Sequence, residues 1–273
     1  MLLASVSFIP HFDHEEAELL TVAEAHLGTL LKNGQICGNY VAGWSDGAYT
    51  AWVYLSHRKA ADDGCLSKWG QKTLASVKRQ FGCEPIWEIL DDEAAARTPT
   101  LKSAKSLYLF AHSLKMDSPV CHGSRGTSLP LPLLPISDLL REELFDWSES
   151  CRCHDRIFME SGALELASYQ QLANARSELA KHGRELTRAL ETALGKPCYY
   201  YLLRHWADPR NEDDRLCPSC GSVWRDPQSP MPSKEPFHRF HFSCTDCRLV
   251  SHRGVIVEDN DNWKIGMFNE TGL

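Results

Sequence analysis

An α+β fold is what this sequence predicts, and three observations predict it. The first ninety residues alternate apolar, strand-prone runs with two helical patterns in the order β-α-β-β-α-β. The middle third mixes β-prone runs with helical stretches, and the last third carries two CxxC motifs among short β-prone segments. The expected segments are a ferredoxin-like α+β domain over residues 1–92, an α/β middle region over 93–206 and a zinc ribbon over 207–273.

"LLASVSFIP" reads as the first strand. Asp13 then stands where an N-cap belongs, and Glu15, Glu16 and Glu18 fall in a first helical turn that favours acids. Leu19, Leu20, Ala23, Leu27, Leu30 and Leu31 recur at helical spacing and define the expected buried face, and Asn33-Gly34 ends the helix. "QICGNYVAGW" and "AYTAWVYLS" are strands joined by the turn "SDG". "LSKWGQKTLASVKRQFG" is a second helix closed by Gly82, and "EPIWEIL" is the last strand before an acidic "DDE".

Beyond the linker "AAARTPTLKSAKS", "LYLFAHSL" reads as a strand and "SLPLPLLPIS" as an extended, proline-punctuated segment. Ser137 or Asp138 caps a helix through "LLREELFDWSES". The stretch from Leu164 to Leu194 is helix-rich with Gly183 as an interior weak point, and "CYYYLLRHW" is β-prone. Three tyrosines in a strand project to alternate faces, which favours core packing over a stacking platform for bases.

Composition narrows the function. No run of eighteen apolar residues exists, and the N-terminus lacks the basic region of a signal peptide, so a cytoplasmic chain is expected. The net charge is −7, and residues 1–92 carry seven Lys/Arg against twelve Asp/Glu. No basic stripe for phosphates is visible; an acidic surface steers basic proteins instead.

Cys217 and Cys220 form one CxxC and Cys244 and Cys247 the other, with 23 residues between the motifs. Four thiolates at this spacing build a tetrahedral zinc site, and a closed site of four cysteines has no open position for activating water. One structural Zn2+ is therefore expected, with no cofactor beyond it. His238 and His241 are rival ligands by proximity alone. Cys121, His122, Cys151, Cys153 and His154 form a thinner constellation without knuckle spacing, better read as free cysteines than as a second metal site. The pairs Asp62/Asp63, Asp91/Asp92 and Asp213/Asp214 read as solvated turn residues. The sequence holds no GxSxG, HExxH, P-loop or GxGxxG motif, so no catalytic residue is assigned and the chain is expected not to be an enzyme.

"GKPCYYYLLRHW", "RLCPSCGSVWRD" and "FHFSCTDCRLVSH" together resemble the DUF2310 family of bacterial Zn-ribbon-containing proteins, most specifically over residues 190–255. Members of that family often carry a further CxxC near the start of the middle region. Here Cys121-His122-Gly123-Ser124 puts a serine at the second cysteine. The resemblance also implies candidates for immunity proteins of interbacterial toxins. The resulting expectation is a protein-binding module that blocks a basic partner, a cognate nuclease toxin. Its exposed acids Glu15, Glu16, Asp62 and Asp63 are candidates for contact. The alternative is a nucleic-acid-binding ribbon using Arg204, Arg210, Arg215, Arg225, Arg239, Arg248 and Arg253.

Overall fold

The computed structural model describes residues 1–11, 15–90, 100–160, 162–225, 240–257 and 260–269. Asp13, Asp91, Asp92, His238 and Arg239 lie outside them. The chain is mixed α+β with two sheets and divides into two compact units. One comprises Met1–Thr100, Met116–Ser118 and Ser128–Asp146; the other comprises Leu101–Lys115, Pro119–Thr127 and Trp147–Leu273.

The first unit runs β1 (Leu2–Phe8), α1 (Glu16–Lys32), β2 (Ile36–Ser45), β3 (Ala48–Leu55), α2 (Lys68–Phe81) and β4 (Ile86–Ile89), the expected element order. Its antiparallel sheet has the order β2-β3-β1-β4. Period-two alternation sends Leu2, Ala4, Val6 and Phe8 inward to meet Leu55, Val53, Ala51 and Tyr49 across the register. The β2–β3 turn needs positive φ at Asp46 (52°) and Gly47 (77°), the requirement of a tight hairpin. Ser67 caps α2 by accepting from Gly70 N–H at 3.1 Å, Asp138 accepts from Lys68 N–H at 2.7 Å, and Gly82 closes the helix at φ 79°.

The buried face of α1 is Leu19, Ala23, His26, Leu27 and Leu30. Leu20, expected inside, is exposed, and Leu31 is only partly buried. The helix is rotated so that His26 takes a core place, its Nδ1 2.9 Å from Thr73 Oγ1. Burial lowers the His26 pKa to about 4, so its ring is neutral at pH 7.

A long helix, α3 (Asp138–Glu160), begins in the first unit and continues, from Trp147, in the second. Ser137 Oγ accepts from Leu140 N–H at 3.2 Å and is its cap. Arg141 explains why residues 128–146 go with the first unit: its guanidinium donates to Asn33 Oδ1 at 3.0 Å, Asp138 Oδ1 at 2.9 Å and Leu131 O at 3.3 Å.

The second unit adds β5 (Leu107–Leu109), β6 (Val120–His122), α4 (Glu165–Ala173), α5 (Glu178–Leu194), β7 (Cys198–Tyr201), β8 (Phe242–Cys244) and β9 (Leu249–Ser251). They form one sheet of order β6-β5-β7-β9-β8, with β5–β7 and β7–β9 parallel. The sheet runs across the expected boundary at 206/207. The strands β8 and β9 on either side of the second CxxC are three residues long, too short to stand alone, and they extend the sheet of the middle region. Tyr200 N–H donates to Arg248 O at 2.8 Å and Leu202 N–H to Val250 O at 2.9 Å.

Gly183 is not a weak point of α5. A Cβ there would lie 2.2 Å from Tyr200 Cε2 and 2.8 Å from Trp147 Nε1, so the glycine is what lets the helix approach β7. Of the three tyrosines in β7, Tyr200 is buried and Tyr199 and Tyr201 are partly buried.

Candidate metal centre

The four predicted ligands converge. The Sγ atoms of Cys217, Cys220, Cys244 and Cys247 all lie within 4.8 Å of one another, and Cys220 Sγ is 3.7 Å from Cys244 Sγ. A tetrahedral ion with metal–sulfur bonds of about 2.3 Å needs sulfurs about 3.8 Å apart, so the set fits. Cys217 and Cys244 are buried, Cys247 is partly buried and Cys220 is exposed, so one side of the thiol cluster is open to solvent.

Each knuckle is a tight reversal. In the first, Gly221 N–H donates to Cys217 O at 2.8 Å and Cys217 N–H to Ser222 O at 2.9 Å. Gly221 sits at φ 73°, and a Cβ there would meet the Phe268 ring at 2.7 Å. The second knuckle puts Arg248 in the corresponding place at φ 53°, a conformation that disfavours a side chain. A fork of bonds from Arg248 Nε and Nη2 to Glu191, at 3.0 and 2.9 Å, holds it there. Hydrogen bonding and charge from Arg248 in turn lower the Glu191 pKa, against partial desolvation.

The thiols are unequal. Hydrogen bonds from Ser222 push Cys220 down to about 6. Burial raises Cys217, and it pushes Cys247 up to about 11. A metal that binds all four as thiolates must therefore displace protons, and its affinity rises with pH.

Behind the first knuckle lies a buried ionic cluster that the sequence did not signal. Glu212 accepts from Arg204 Nε at 3.1 Å and Nη2 at 2.8 Å and from Asp208 N–H at 2.9 Å. Arg215 Nε is 3.2 Å from Glu212 Oε1, an ion pair without hydrogen-bond alignment. Burial alone would raise the Glu212 pKa, but bonds and charge from Arg204 and Arg215 outweigh it and the net shift is downward. The Arg215 guanidinium also lies over the Phe242 and Trp224 rings, 4.0 and 4.7 Å from their centroids, and Trp224 Nε1 donates to Arg215 O. Glu212 thus fixes the segment entering Cys217. It stood in the sequence as one acid of a charged hinge, where nothing marks burial.

The thinner constellation is not brought together. Among the described residues, the four-cysteine group is the only cluster with metal-site geometry. Cys151 donates to Ala111 O at 3.3 Å, Cys121 faces Pro119 O, His154 lies near Ser168 Oγ, and Cys153 is exposed. His241 accepts from Arg253 N–H at 3.3 Å and is not in the group. Asp213, read as solvated, pairs with Arg225 and Arg253. Among the described residues no helix is long and apolar enough to cross a membrane.

Comparison with known proteins divides the second unit. A model described as "Domain of unknown function (DUF2310)" matches residues 102–203. Residues 207–254, with all four cysteines, match another described as "Domain of unknown function (DUF8594)". The resemblance drawn on 190–255 therefore straddles two models, and the cysteine segment belongs to the second. Two uncharacterized proteins of Haemophilus influenzae are each 33% identical over 164 residues, 59% of this chain. That stretch is 60% of the length of one relative and 78% of the other. Two solved structures overlap about a third of the chain. An antibiotic biosynthesis monooxygenase is 13% identical, with 34% of this chain and 98% of that one covered. Rv0793 from Mycobacterium tuberculosis is 16% identical, with 35% and 98% covered, and both have a TM-score of 0.26, too low to support an inference. With its middle region matched by the family model and a relative aligned over most of its length, the chain belongs to the DUF2310 family.

Proposed function

We propose that the chain is a non-enzymatic, cytoplasmic protein-binding module that docks a basic protein on the outer face of its first sheet. One observation carries this reading. Helices cover one face of that sheet, while the other exposes Val41 (73%), Trp52 (45%), Tyr54 and Ile86. Val41 and Trp52 are opposite each other in the register, and Ser5 lies between Trp52 and the exposed carboxylate of Glu88. Exposed Trp and Tyr at the centre of a flat patch are what protein interfaces use as anchors. The acid excess of residues 1–92 gives that partner a sign.

The first unit, on its element order and strand order, is ferredoxin-like. The four cysteines hold one structural Zn2+. Cysteine-only donors in a tetrahedron favour zinc, and the ion staples strands too short to persist alone. The partner we infer is a bacterial nuclease toxin that the chain blocks as its immunity protein, because a nuclease is basic around its cleft. For the nucleic-acid alternative, Arg204, Arg215, Arg225, Arg248 and Arg253 are already engaged by Glu212, Asp213 and Glu191. That engagement offsets the positive charge of these five arginines and favours the protein partner. A cross-linking capture from host cells tests the proposal. A basic protein is recovered with the wild type and lost with Trp52→Glu, and no DNA or RNA shift occurs at low salt. Recovery that ignores Trp52, or salt-sensitive binding of nucleic acid, would overturn it.

A further inference from the structure

A second site lies in the other unit, independent of the docking face. Between α3 and the ends of β5 and β7 is a cavity of ≈ 210 Å³. Its walls are aromatic: Phe110, Trp147, Phe158, Tyr200 and Tyr201 line it, and the exposed Leu114 and Met159 flank it. Into this apolar space the chain places one carboxylate. Asp155 Oδ2 accepts from Ser113 N–H at 2.7 Å and Ser113 Oγ–H at 2.6 Å, which fixes its orientation. Among the described residues Asp155 forms no ion pair, and Arg152, one turn back on α3, is taken by Glu149 and Ser148.

The lining holds no lysine or arginine to balance it. Burial lowers the His205 pKa and raises those of Tyr200 and Tyr201, so all three are neutral at pH 7. His112 Nδ1 is occupied by a hydrogen bond from Leu114 N–H at 3.3 Å. The Cys151 thiol is pushed up to about 12, chiefly by burial, and gives its proton to Ala111 O, which makes it a wall and not a nucleophile. A single negative charge among ring faces is the arrangement that recognises an organic cation, since each ring presents a negative face and the carboxylate supplies the counter-charge. We propose that this cavity binds a small organic ammonium ion, with alkyl or aryl groups against the rings and the charged nitrogen toward Asp155. The volume sets the size. A cavity of about 150 Å³ accepts benzene and drug-sized sites start near 300 Å³, so the ligand has about a dozen heavy atoms or fewer.

The test uses the whole chain and a matched pair of probes, benzyltrimethylammonium and its neutral carbon isostere neopentylbenzene, titrated calorimetrically. The expected result is that the ammonium binds wild type at least about tenfold tighter than the isostere. Asp155→Asn, which keeps an acceptor for Ser113, abolishes that preference while leaving the isostere's affinity unchanged. Equal affinities on the wild type reduce the cavity to a generic apolar hole and overturn the proposal. So does absence of heat with the ammonium up to millimolar concentration, and so does a preference that survives Asp155→Asn. Because the wild-type comparison needs no variant, a misfolded mutant does not spare the idea.

Discussion

Replacing Glu212 by Gln tests whether the buried ionic cluster holds the metal-binding segment. The substitution keeps size and one acceptor but removes the only carboxylate between two guanidinium groups whose side chains are 1–2% exposed. One of the two Arg204 bonds then meets an NH2 donor where an acceptor stood, and the Arg215 pair is lost. Breaking one partner of a buried ion pair costs about 3–5 kcal/mol. The matched control is Glu178→Gln, whose partner Lys181 is 2.7 Å away on the exposed surface of α5 and whose loss costs no more than about 0.5 kcal/mol. Urea unfolding followed by tryptophan fluorescence reads both, because Trp224 reports on the cluster directly through its bond to Arg215. The pH dependence has a sign. The folded-state pKa of Glu212 lies below its ordinary value of 4.5, so its contribution is fully present above that value and is lost as pH falls through the folded pKa. Glu212→Gln therefore removes part of the acid destabilisation. A loss under about 1 kcal/mol, or an unchanged acid limb, would refute the clamp.

Gly183→Ala should destabilise by about 1–3 kcal/mol although alanine is the better helix former, because its Cβ collides with Tyr200. Gly28→Ala, in open space on α1, should stabilise by about 0.5–1 kcal/mol, and thermal melts compare the two. His26 is neutral when folded, so stability falls as pH drops from its unfolded pKa of 6.5 toward the folded value of about 4, by roughly 3 kcal/mol in all, and His26→Gln flattens that slope. If the four cysteines hold one zinc as proposed, elemental analysis should find one equivalent in the wild type and none in Cys244→Ser, whose Phe242–Cys244 amides are freed to exchange while Leu107–Leu109 in the same sheet stay protected.

The first unit was legible in the sequence because its signals are local. Period-two runs, the Ser67 and Gly82 caps and the Asp46-Gly47 turn each depend on residues close in the chain. The cluster of four cysteines was legible for the same reason, as two four-residue motifs that each supply two of its thiols. What escaped depends on distant partners. Helical spacing cannot tell Leu20 from His26 at the edge of a buried stripe, because Thr73 on α2 decides which is satisfied inside. Gly183 looks like a propensity defect until Tyr200 and Trp147 are placed against it. Arg248 could have been found by analogy with Gly221, since both follow the second cysteine of a knuckle. The joining of the cysteine segment to the middle sheet rests on parallel pairing of β7 and β9, whose sequence separation hides it.

Inhibition of the proposed nuclease partner is the direct test of the docking face. The chain, and its Trp52→Glu variant, are titrated against the captured basic protein, proposed to be a nuclease, while DNA cleavage is followed. Cleavage is expected to fall to background at one equivalent of wild type and to persist with the variant, since an anchoring aromatic is worth about 2 kcal/mol or more at a protein interface. Cleavage undiminished by excess wild type, or inhibition that Trp52→Glu leaves intact, would contradict the account.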